Sequence, residues 1–453
     1  MLRVSRIAHA GMVVETPTVR CIVDPILKND FMGGTLELNP PISLDTAAFS
    51  KVKFDLLIIS HEHEDHFSLP SIHLVNRDAH VLYPARSPWI KPILERLGFK
   101  FFRALVPFRG YKLRDLEIVA TRSHVSFPEM GILFRSGKSS CWNLVDSVVK
   151  KTTIQRILRD YGRPSVVFAP FQPVIELEMF NGPLGGNFPL LDYKNILRTI
   201  QMIGSKYVVP TAFGYRNSTA EWLNTRQFPM SETQFAKDIK LMASQQMVVH
   251  LTPGSTLRID ADRLRKAGKL PYISRKTSLA TRSTEWRPDR GVDPLTAKRR
   301  LSVSEMKTLK SFLRGTFLRH LNSRDFERYV KPLHLGKVVW RLEILEGPGQ
   351  SSTWTIDFTK KPLNFSKSRA DDFPNLHTSV LGSTLLDSLN GKCSPYSLIL
   401  GRGALRNYSR FYRVNRNGAQ KTCLTFYSDP LSEILKLNFF TNFMIRELNQ
   451  LGA

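Results

Sequence analysis

The ten-residue segment IISHEHEDHF, at positions 58–67, constrains this chain of 453 residues more than any other feature. Three histidines and three acidic residues follow an apolar run, FDLLIIS, which has the character of a strand buried on both faces. Imidazoles and carboxylates crowded behind a buried strand are costly unless a positive charge lies among them. The segment therefore predicts a metal site at a strand end.

The spacing H-x-H-x-D-H suits two adjacent metal ions. His61 and His63 are two residues apart, so in an extended chain both side chains point the same way. Asp65 and His66 follow where the chain turns away from the strand. We expect the first pair on one ion and the second pair on the other. A catalytic site would keep a position on each ion open for water, oxygen or substrate.

The order of the predicted elements indicates a layered α/β domain over residues 1–260. Strand-like runs come first, and GILFRSGKSSCWNLVDS reads as a hairpin whose second strand leads to Asp146. Three later segments are predicted to be helices: 154–162, 193–204 and 231–245. Residues 261–300 are basic and weakly periodic, which is typical of a linker. Residues 301–453 read as a smaller C-terminal α+β domain.

The formal net charge of +26 favours anionic partners. Residues 1–260 carry +8 (31 basic, 23 acidic) and residues 261–453 carry +18 (34 basic, 16 acidic), so most of the excess lies outside the motif-bearing part. The basic linker lacks the interleaved aromatic residues of a stacking platform for nucleic acid. We therefore expect an anionic small-molecule substrate, and nucleic-acid processing remains the weakest alternative.

Cysteine spacing and hydropathy favour a cytoplasmic protein without membrane contacts. The four cysteines form no C-x-x-C pair, which argues against a disulfide framework and against a thiolate zinc site. The chain has no run of about 18 apolar residues, and its first residues do not resemble a signal peptide.

The H-x-H-x-D-H segment resembles the signature of the metallo-β-lactamase superfamily. That resemblance implies a four-layer αββα sandwich with metal ions at the strand ends. It also implies a further histidine ligand before a hairpin, and an aspartate after the hairpin that bridges both ions. His124 in TRSHVSF and Asp146 in NLVDS match these two positions.

At two positions the sequence departs from the usual pattern of the superfamily's hydrolases. The chain has Val-Asp-Ser around Asp146 where hydrolases of the superfamily usually have Gly-Asp-Thr, and Thr211-Ala212-Phe213 where a last histidine is expected. The segments SHVSFPEMGILF, VVPTAFGY and LTPGSTLRID resemble the CMP-N-acetylneuraminic acid hydroxylase family, which consists of iron-dependent monooxygenases. The C-terminal segments VVWRLEILEG and HTSVLGSTLLDSLNG resemble that family too. The cysteine–histidine pairs of its Rieske domain are absent from this sequence.

Three residues near the motif have open roles. Glu129, in the segment PEM, follows His124 closely, so either residue is a candidate ligand. Asp24, in VDP, is predicted to fix the loop beside the site. His9, in AHAG, is predicted either to support the site from behind the ligands or simply to pack.

The sequence thus favours a di-iron oxygenase whose metal ligands are His61, His63, Asp65, His66, His124 and Asp146. Asp65, Asp146 and Glu129 are the candidate catalytic carboxylates. Electrons would come from a separate donor protein or from the substrate. The alternative is a zinc- or manganese-dependent hydrolase of an ester, phosphodiester or lactone.

Overall fold

The computed structural model describes most of the chain, with gaps. The described residues are 1–125, 127–173, 188–225, 227–276, 293–366, 374, 376–398, 405–409, 412–416, 419–423 and 429–452. They belong to two compact units. Unit 1 comprises residues 1–174, 188–286 and 447–453, and unit 2 comprises residues 175–187 and 287–446.

The strands of unit 1 build two large sheets. In chain order they are β1 (Leu2–Arg6), β2 (Met12–Glu15), β3 (Arg20–Val23), β4 (Asp30–Phe31), β5 (Leu36–Leu38), β6 (Ile42–Leu44), β7 (Leu56–Ile58), β8 (His80–Pro84), β9 (Phe102–Leu105), β10 (Gly110–Leu113), β11 (Leu116–Arg122), β12 (Met130–Ser136), β13 (Ser139–Asn143), β14 (Val166–Pro170), β15 (Tyr207–Thr211), β16 (Tyr215–Asn217), β17 (Met247–Val248), β18 (Ser255–Asp260), β19 (Arg263–Lys269) and β20 (Ile273–Arg275). The first sheet has the order β19-β18-β1-β2-β3-β7-β8-β9, and the second has the order β10-β11-β12-β13-β14-β15-β17.

The main hydrophobic core lies between these two sheets. Alternate side chains of the first sheet, such as Val23, Leu56 and Ile58, pack in one buried cluster with Ile132 and Phe168 of the second. Alternation is the expected pattern because successive strand residues point to opposite faces. The other face of β7 is buried as well, which explains why its sequence is continuously apolar.

Helices cover the outer faces of both sheets. They are α1 (Thr46–Ser50), α2 (Leu69–Ile72), α3 (Ile90–Arg96), α4 (Lys151–Tyr161), α5 (Leu190–Ile203), α6 (Glu221–Asn224) and α7 (Glu232–Met242). The helices α1, α2 and α3 connect the parallel strands β3, β7, β8 and β9. The helices α4, α5 and α7 pack on the second sheet around Trp142 and Phe235. The predicted four-layer αββα sandwich is therefore present in unit 1.

The predicted hairpin and the three predicted helices are present. Strands β12 and β13 pair with Ser136 opposite Ser139, and α4, α5 and α7 match the helical segments within a few residues at most boundaries. The Ser231 hydroxyl accepts a hydrogen bond from the Gln234 amide and so caps α7.

Part of the segment interpreted as a basic linker is strand. Its residues 263–269 form β19, which pairs with β18 at the edge of the first sheet, and residues 273–275 form β20. The weak apolar periodicity has a physical reason, because β19 is an edge strand with mostly exposed side chains. Residues 277–292 lie outside the described part. The predicted domain boundaries otherwise stay predictions.

Unit 2 is a mixed α+β body. Its helices are α8 (Val303–Phe312), α9 (Leu318–Leu321), α10 (Glu327–Leu335), α11 (Gly382–Leu389) and α12 (Pro430–Gln450), and a π-helical turn, Leu313–Phe317, joins α8 to α9. Its strands are β21 (Val339–Gly347), β22 (Gln350–Asp357), β23 (Phe365–Ser366), β24 (Leu376–Leu381), β25 (Leu405–Ser409), β26 (Tyr412–Arg416) and β27 (Ala419–Cys423). The first five form one sheet in the order β23-β22-β21-β24-β25.

None of the helices in the described part of the chain combines the length and the hydropathy needed to cross a bilayer.

Candidate metal centre

Loops from both sheets meet at the carboxyl ends of their central strands. In the first sheet, β3 leads to Asp24 and its parallel neighbour β7 leads to the H-x-H-x-D-H segment. In the second sheet, β13 leads to Asp146. The Nε2 atom of His66 lies 3.1 Å from Oδ2 of Asp146, so the two sheets contribute to one cluster. Ligand sites of open α/β sheets form at this edge.

The backbone around this cluster is strained. Five non-glycine residues there have positive φ angles: His9 (48°), Asp24 (41°), Val145 (54°), Ala212 (52°) and Phe213 (108°). Such conformations cost of order 1–3 kcal/mol each and persist only where the surroundings impose them. Their concentration at one place is what a functional site would show.

The first group of candidate ligands comprises His61, His66 and Asp146. One ligand atom from each lies within 4.8 Å of the others, and both imidazoles are fully buried. His63 adjoins this group, because its Nδ1 lies 3.1 Å from Nε2 of His61. His61 and His63 thus lie side by side, and their pairing on one ion stays a prediction.

The second group comprises His9, Asp65 and His66. The Oδ2 atom of Asp65 lies 3.3 Å from Nε2 of His9 and 3.7 Å from Nε2 of His66. The side chain of Asp65 is 18% exposed and that of Asp146 is 26% exposed, whereas the imidazoles behind them are buried. The cluster is thus reached from its carboxylate side.

The buried atoms without a hydrogen-bond partner among the described residues include three on candidate site residues. They are Nε2 of His9, Oε1 of Glu129 and Oδ1 of Asp146. Buried polar atoms in native proteins are nearly always paired, so each such atom calls for an explanation. Two unpaired carboxylate oxygens beside a group of imidazoles fit the donor set of a metal centre.

A single buried carboxylate orients two of the histidines. Oδ2 of Asp24 accepts hydrogen bonds from Nδ1 of His66 (3.1 Å) and from the Ser60 hydroxyl (2.6 Å). Because that hydroxyl has only one hydrogen, its oxygen accepts from Nδ1 of His61 at 2.9 Å. Nε2 of each imidazole is then directed at the cluster. Such partners behind the ligands fix tautomer and ring orientation.

The charges of the metal-free cluster are strongly coupled. Burial alone would lower the pKa of His66, but the carboxylates of Asp146 and Asp65 outweigh burial and raise it well above its usual value. Burial would raise the pKa of Asp65, but His66 and His9 hold it well below its usual range. Burial and the neighbouring His66 and His63 lower the pKa of His61.

Glu129 shares this environment. It lies opposite His61 in an isolated antiparallel bridge and is 8% exposed. Burial and the negative charge of Asp146 raise its pKa to about 7. A metal ion would displace protons from both Glu129 and His66, so metal binding should be pH-dependent.

His124 is positioned differently from Glu129. Its backbone amide donates to the Val148 carbonyl, and its Nδ1 lies 3.3 Å from the same oxygen. Like Glu129, it belongs to neither of the two groups of candidate ligands found among the described residues. Of the two alternatives that the sequence leaves open, Glu129 lies opposite His61 and is affected by the charge of Asp146, and the choice between the two stays a prediction.

Aromatic rings border the cluster on two sides. The ring of Phe127 lies 4.4 Å from that of His63 and 5.8 Å from that of His61, measured between centroids. The buried ring of Tyr215 lies 5.2 Å from that of His9. Both rings therefore pack against imidazoles of the cluster. Neither ring can be recognised as part of the site from the sequence, since a lone aromatic residue in a loop belongs to no motif.

Comparisons with known proteins return similar structures only. No protein-family model and no curated protein matches the chain. Igni18, a metallo hydrolase from Ignicoccus hospitalis, is 18% identical with a TM-score of 0.40, and the match covers 56% of this chain and 97% of Igni18. YhfI, a metallo-β-lactamase-fold protein from Bacillus subtilis, is 12% identical with a TM-score of 0.38, over 56% of this chain and 98% of YhfI.

A third similar structure is CmlA, a diiron β-hydroxylase from Streptomyces venezuelae. It is 15% identical with a TM-score of 0.41, and the match covers 59% of this chain and 54% of CmlA, so it spans about half of that protein. The similar structures include hydrolases and a hydroxylase, and this degree of similarity does not distinguish between the two reactions. The resemblance to CMP-N-acetylneuraminic acid hydroxylases stays a prediction.

Proposed function

We propose that this protein is a non-haem di-iron oxygenase that hydroxylates an anionic small molecule. The observation that carries the proposal is the composition of the cluster. The proposed ligands are three imidazoles (His61, His63 and His66) and three carboxylates (Asp65, Glu129 and Asp146); His9 lies beside them, and the turn 211–213 supplies no further imidazole. Carboxylate-rich sites suit iron and manganese better than zinc.

The residues divide naturally between two ions. His61, His63 and Glu129 would hold one, Asp65 and His66 would hold the other, and Asp146 would lie between them. Two iron ions bound there would supply the activation of dioxygen. The protein's own residues supply ligand geometry, a dry environment and access for the substrate.

Those contributions follow from contacts in the structure. Asp24 and Ser60 hold the imidazoles of His66 and His61 in the tautomer that presents Nε2. The ring of Phe127 packs against those of His61 and His63 and limits their movement. The exposed edges of Asp65 and Asp146 leave one side of the cluster open for a substrate.

The partners follow from the charge and from the reaction. A net charge of +26 would attract an anionic substrate and speed its encounter with the protein. An oxygenase also needs electrons, which a separate donor protein would deliver. We infer no role for a membrane or for nucleic acid in this reaction.

A zinc- or manganese-dependent hydrolase is the second candidate. The observation that favours it is Glu129, since a carboxyl group whose pKa is about 7 suits general acid–base catalysis at neutral pH. In such an enzyme Glu129 would activate water instead of holding an ion, and the substrate would be an ester, a phosphodiester or a lactone.

Oxygen consumption separates the two candidates. Metal-free protein is reloaded anaerobically with Fe²⁺ or with Zn²⁺. Dioxygen uptake is then measured in the presence of a reductant other than dithionite and of a redox mediator. We expect uptake above the protein-free rate only with iron, its loss in Asp146→Ala, and its retention in His80→Ala, a variant at the opposite end of β8. Ester or phosphodiester hydrolysis by the zinc form, without uptake by the iron form, would favour the hydrolase.

A further inference from the structure

His9 lies against the turn 211–214, where the sequence lacks the expected last histidine. Its side chain is 2% exposed and its ring lies 5.1 Å from that of His66, measured between centroids. Its Nδ1 accepts two hydrogen bonds, from the backbone amides of Phe213 (3.0 Å) and Gly214 (3.1 Å). Both amides belong to the turn that begins at Thr211, where the sequence departs from the superfamily pattern.

These two bonds determine the tautomer of His9. A nitrogen that accepts from two N–H donors cannot carry a hydrogen itself, so in the neutral ring the hydrogen is on Nε2. Nε2 is buried, has no aligned hydrogen-bond partner among the described residues, and lies 3.3 Å from Oδ2 of Asp65. A protonated Nε2 has no lone pair to offer a metal ion.

The turn is built to hold this arrangement. Ala212 and Phe213 both have positive φ angles, which bring their following amides to face His9. A Cβ atom at Gly214 would lie 2.9 Å from both N and Cα of His9, so only glycine permits the close approach. The strained residues Ala212 and Phe213 and the required glycine at 214 thus all help to position the two amides that donate to Nδ1.

We propose that His9 is a positioning residue that donates its Nε2 hydrogen to Asp65, and that it is not a metal ligand. Where the superfamily pattern has a ligand imidazole, this chain thus has a turn, 211–214, that holds His9 as a hydrogen-bond donor. An ion held by Asp65 and His66 would then have fewer protein ligands than its neighbour, which would leave more of its positions open to substrate or water. This inference rests on the proposed metal centre, but not on which reaction the centre performs.

Two substitutions distinguish a donor from a ligand. Glutamine places an amide N–H near the position of imidazole Nε2, whereas phenylalanine keeps the ring without any donor. Partners behind the ligands typically contribute 10–100-fold to metal affinity. We expect His9→Gln to bind two Zn²⁺ ions within about threefold of the wild-type affinity, and His9→Phe to bind the second ion about 10–100-fold more weakly. His66→Ala, which removes a ligand, should bind at most one ion.

The tautomer itself is measured by long-range ¹H–¹⁵N correlation spectra of zinc-loaded protein with ¹⁵N-labelled histidine. The His9 signals are those that disappear in His9→Gln. We expect a hydrogen on Nε2 and an unprotonated, metal-free Nδ1. A metal-bound Nε2, or loss of one Zn²⁺ ion in His9→Gln, would overturn the inference. Spectra of the metal-free protein test the tautomer separately, so this result and the test of oxygen chemistry are independent.

Discussion

Replacing Glu129 by glutamine should change the stability of this protein in opposite directions with and without metal. In the metal-free protein the Glu129 carboxyl is buried beside Asp146, which raises its pKa from 4.5 to about 7. That increase corresponds to a cost of about 3 kcal/mol for the ionised carboxylate, since each pKa unit is worth about 1.4 kcal/mol. Glutamine carries no charge and avoids this cost.

The protonation of Glu129 determines how the stability of the metal-free protein changes with pH. Below pH 4.5 the carboxyl is protonated in both the folded and the unfolded chain, so it costs nothing. Between pH 4.5 and 7 the folded state binds more protons than the unfolded state, and stability falls as the pH rises. The advantage of Glu129→Gln should therefore grow over this range and reach its full size of about 3 kcal/mol above pH 7.

Thermal unfolding of metal-free protein at pH 5 and pH 8 measures this advantage. For a unit of this size, about 3 kcal/mol corresponds to a higher melting temperature by on the order of 5–10 °C at pH 8, and by much less at pH 5. With metal added, the wild type should be the more stable of the two proteins, because the variant lacks a ligand. A variant that is no more stable at pH 8 than the wild type, or equally stabilised at both pH values, would refute the placement of Glu129.

Three further predictions concern the surroundings of the cluster. Ser60→Ala removes the acceptor for Nδ1 of His61 and should weaken metal binding about 10–100-fold in a chelator competition assay; an unchanged affinity would contradict its role. His124→Ala should leave two metal ions bound by elemental analysis, whereas Glu129→Ala should leave about one, and the reverse result would restore His124 as the ligand. Leu57→Ala, in the fully buried strand β7, should lower the free energy of unfolding by about 2–5 kcal/mol in urea titrations; a cost below 1 kcal/mol would contradict the packing of that strand.

The sequence predicts the large elements well because they depend on local patterns. The apolar run before His61 predicts a strand buried on both faces, and β7 is such a strand. The turn signal at SGKS predicts the hairpin of β12 and β13. In contrast, β19 has too few apolar residues to be recognised, because an edge strand gains its order from backbone pairing with β18.

The candidate site is predicted only in part because its contacts are not local. The spacing of His61, His63 and Asp65 is visible in the sequence. The hydrogen bond between Asp24 and His66 joins residues 42 positions apart, and the bonds to His9 join residues more than 200 positions apart. No pattern along the chain reports such contacts. The preference for Glu129 over His124 likewise depends on which side chain the folded loop buries.

Elemental analysis of protein purified without chelators or nickel columns tests the central claim most directly, with Asp146→Ala prepared in parallel. The account predicts about two iron ions per chain in the wild type and a loss of iron in the variant, since Asp146 contacts His66, the residue that the two groups of candidate ligands share. Zinc or manganese in place of iron would contradict the oxygenase proposal and favour the hydrolase. The absence of metal from both proteins would contradict the metal centre itself.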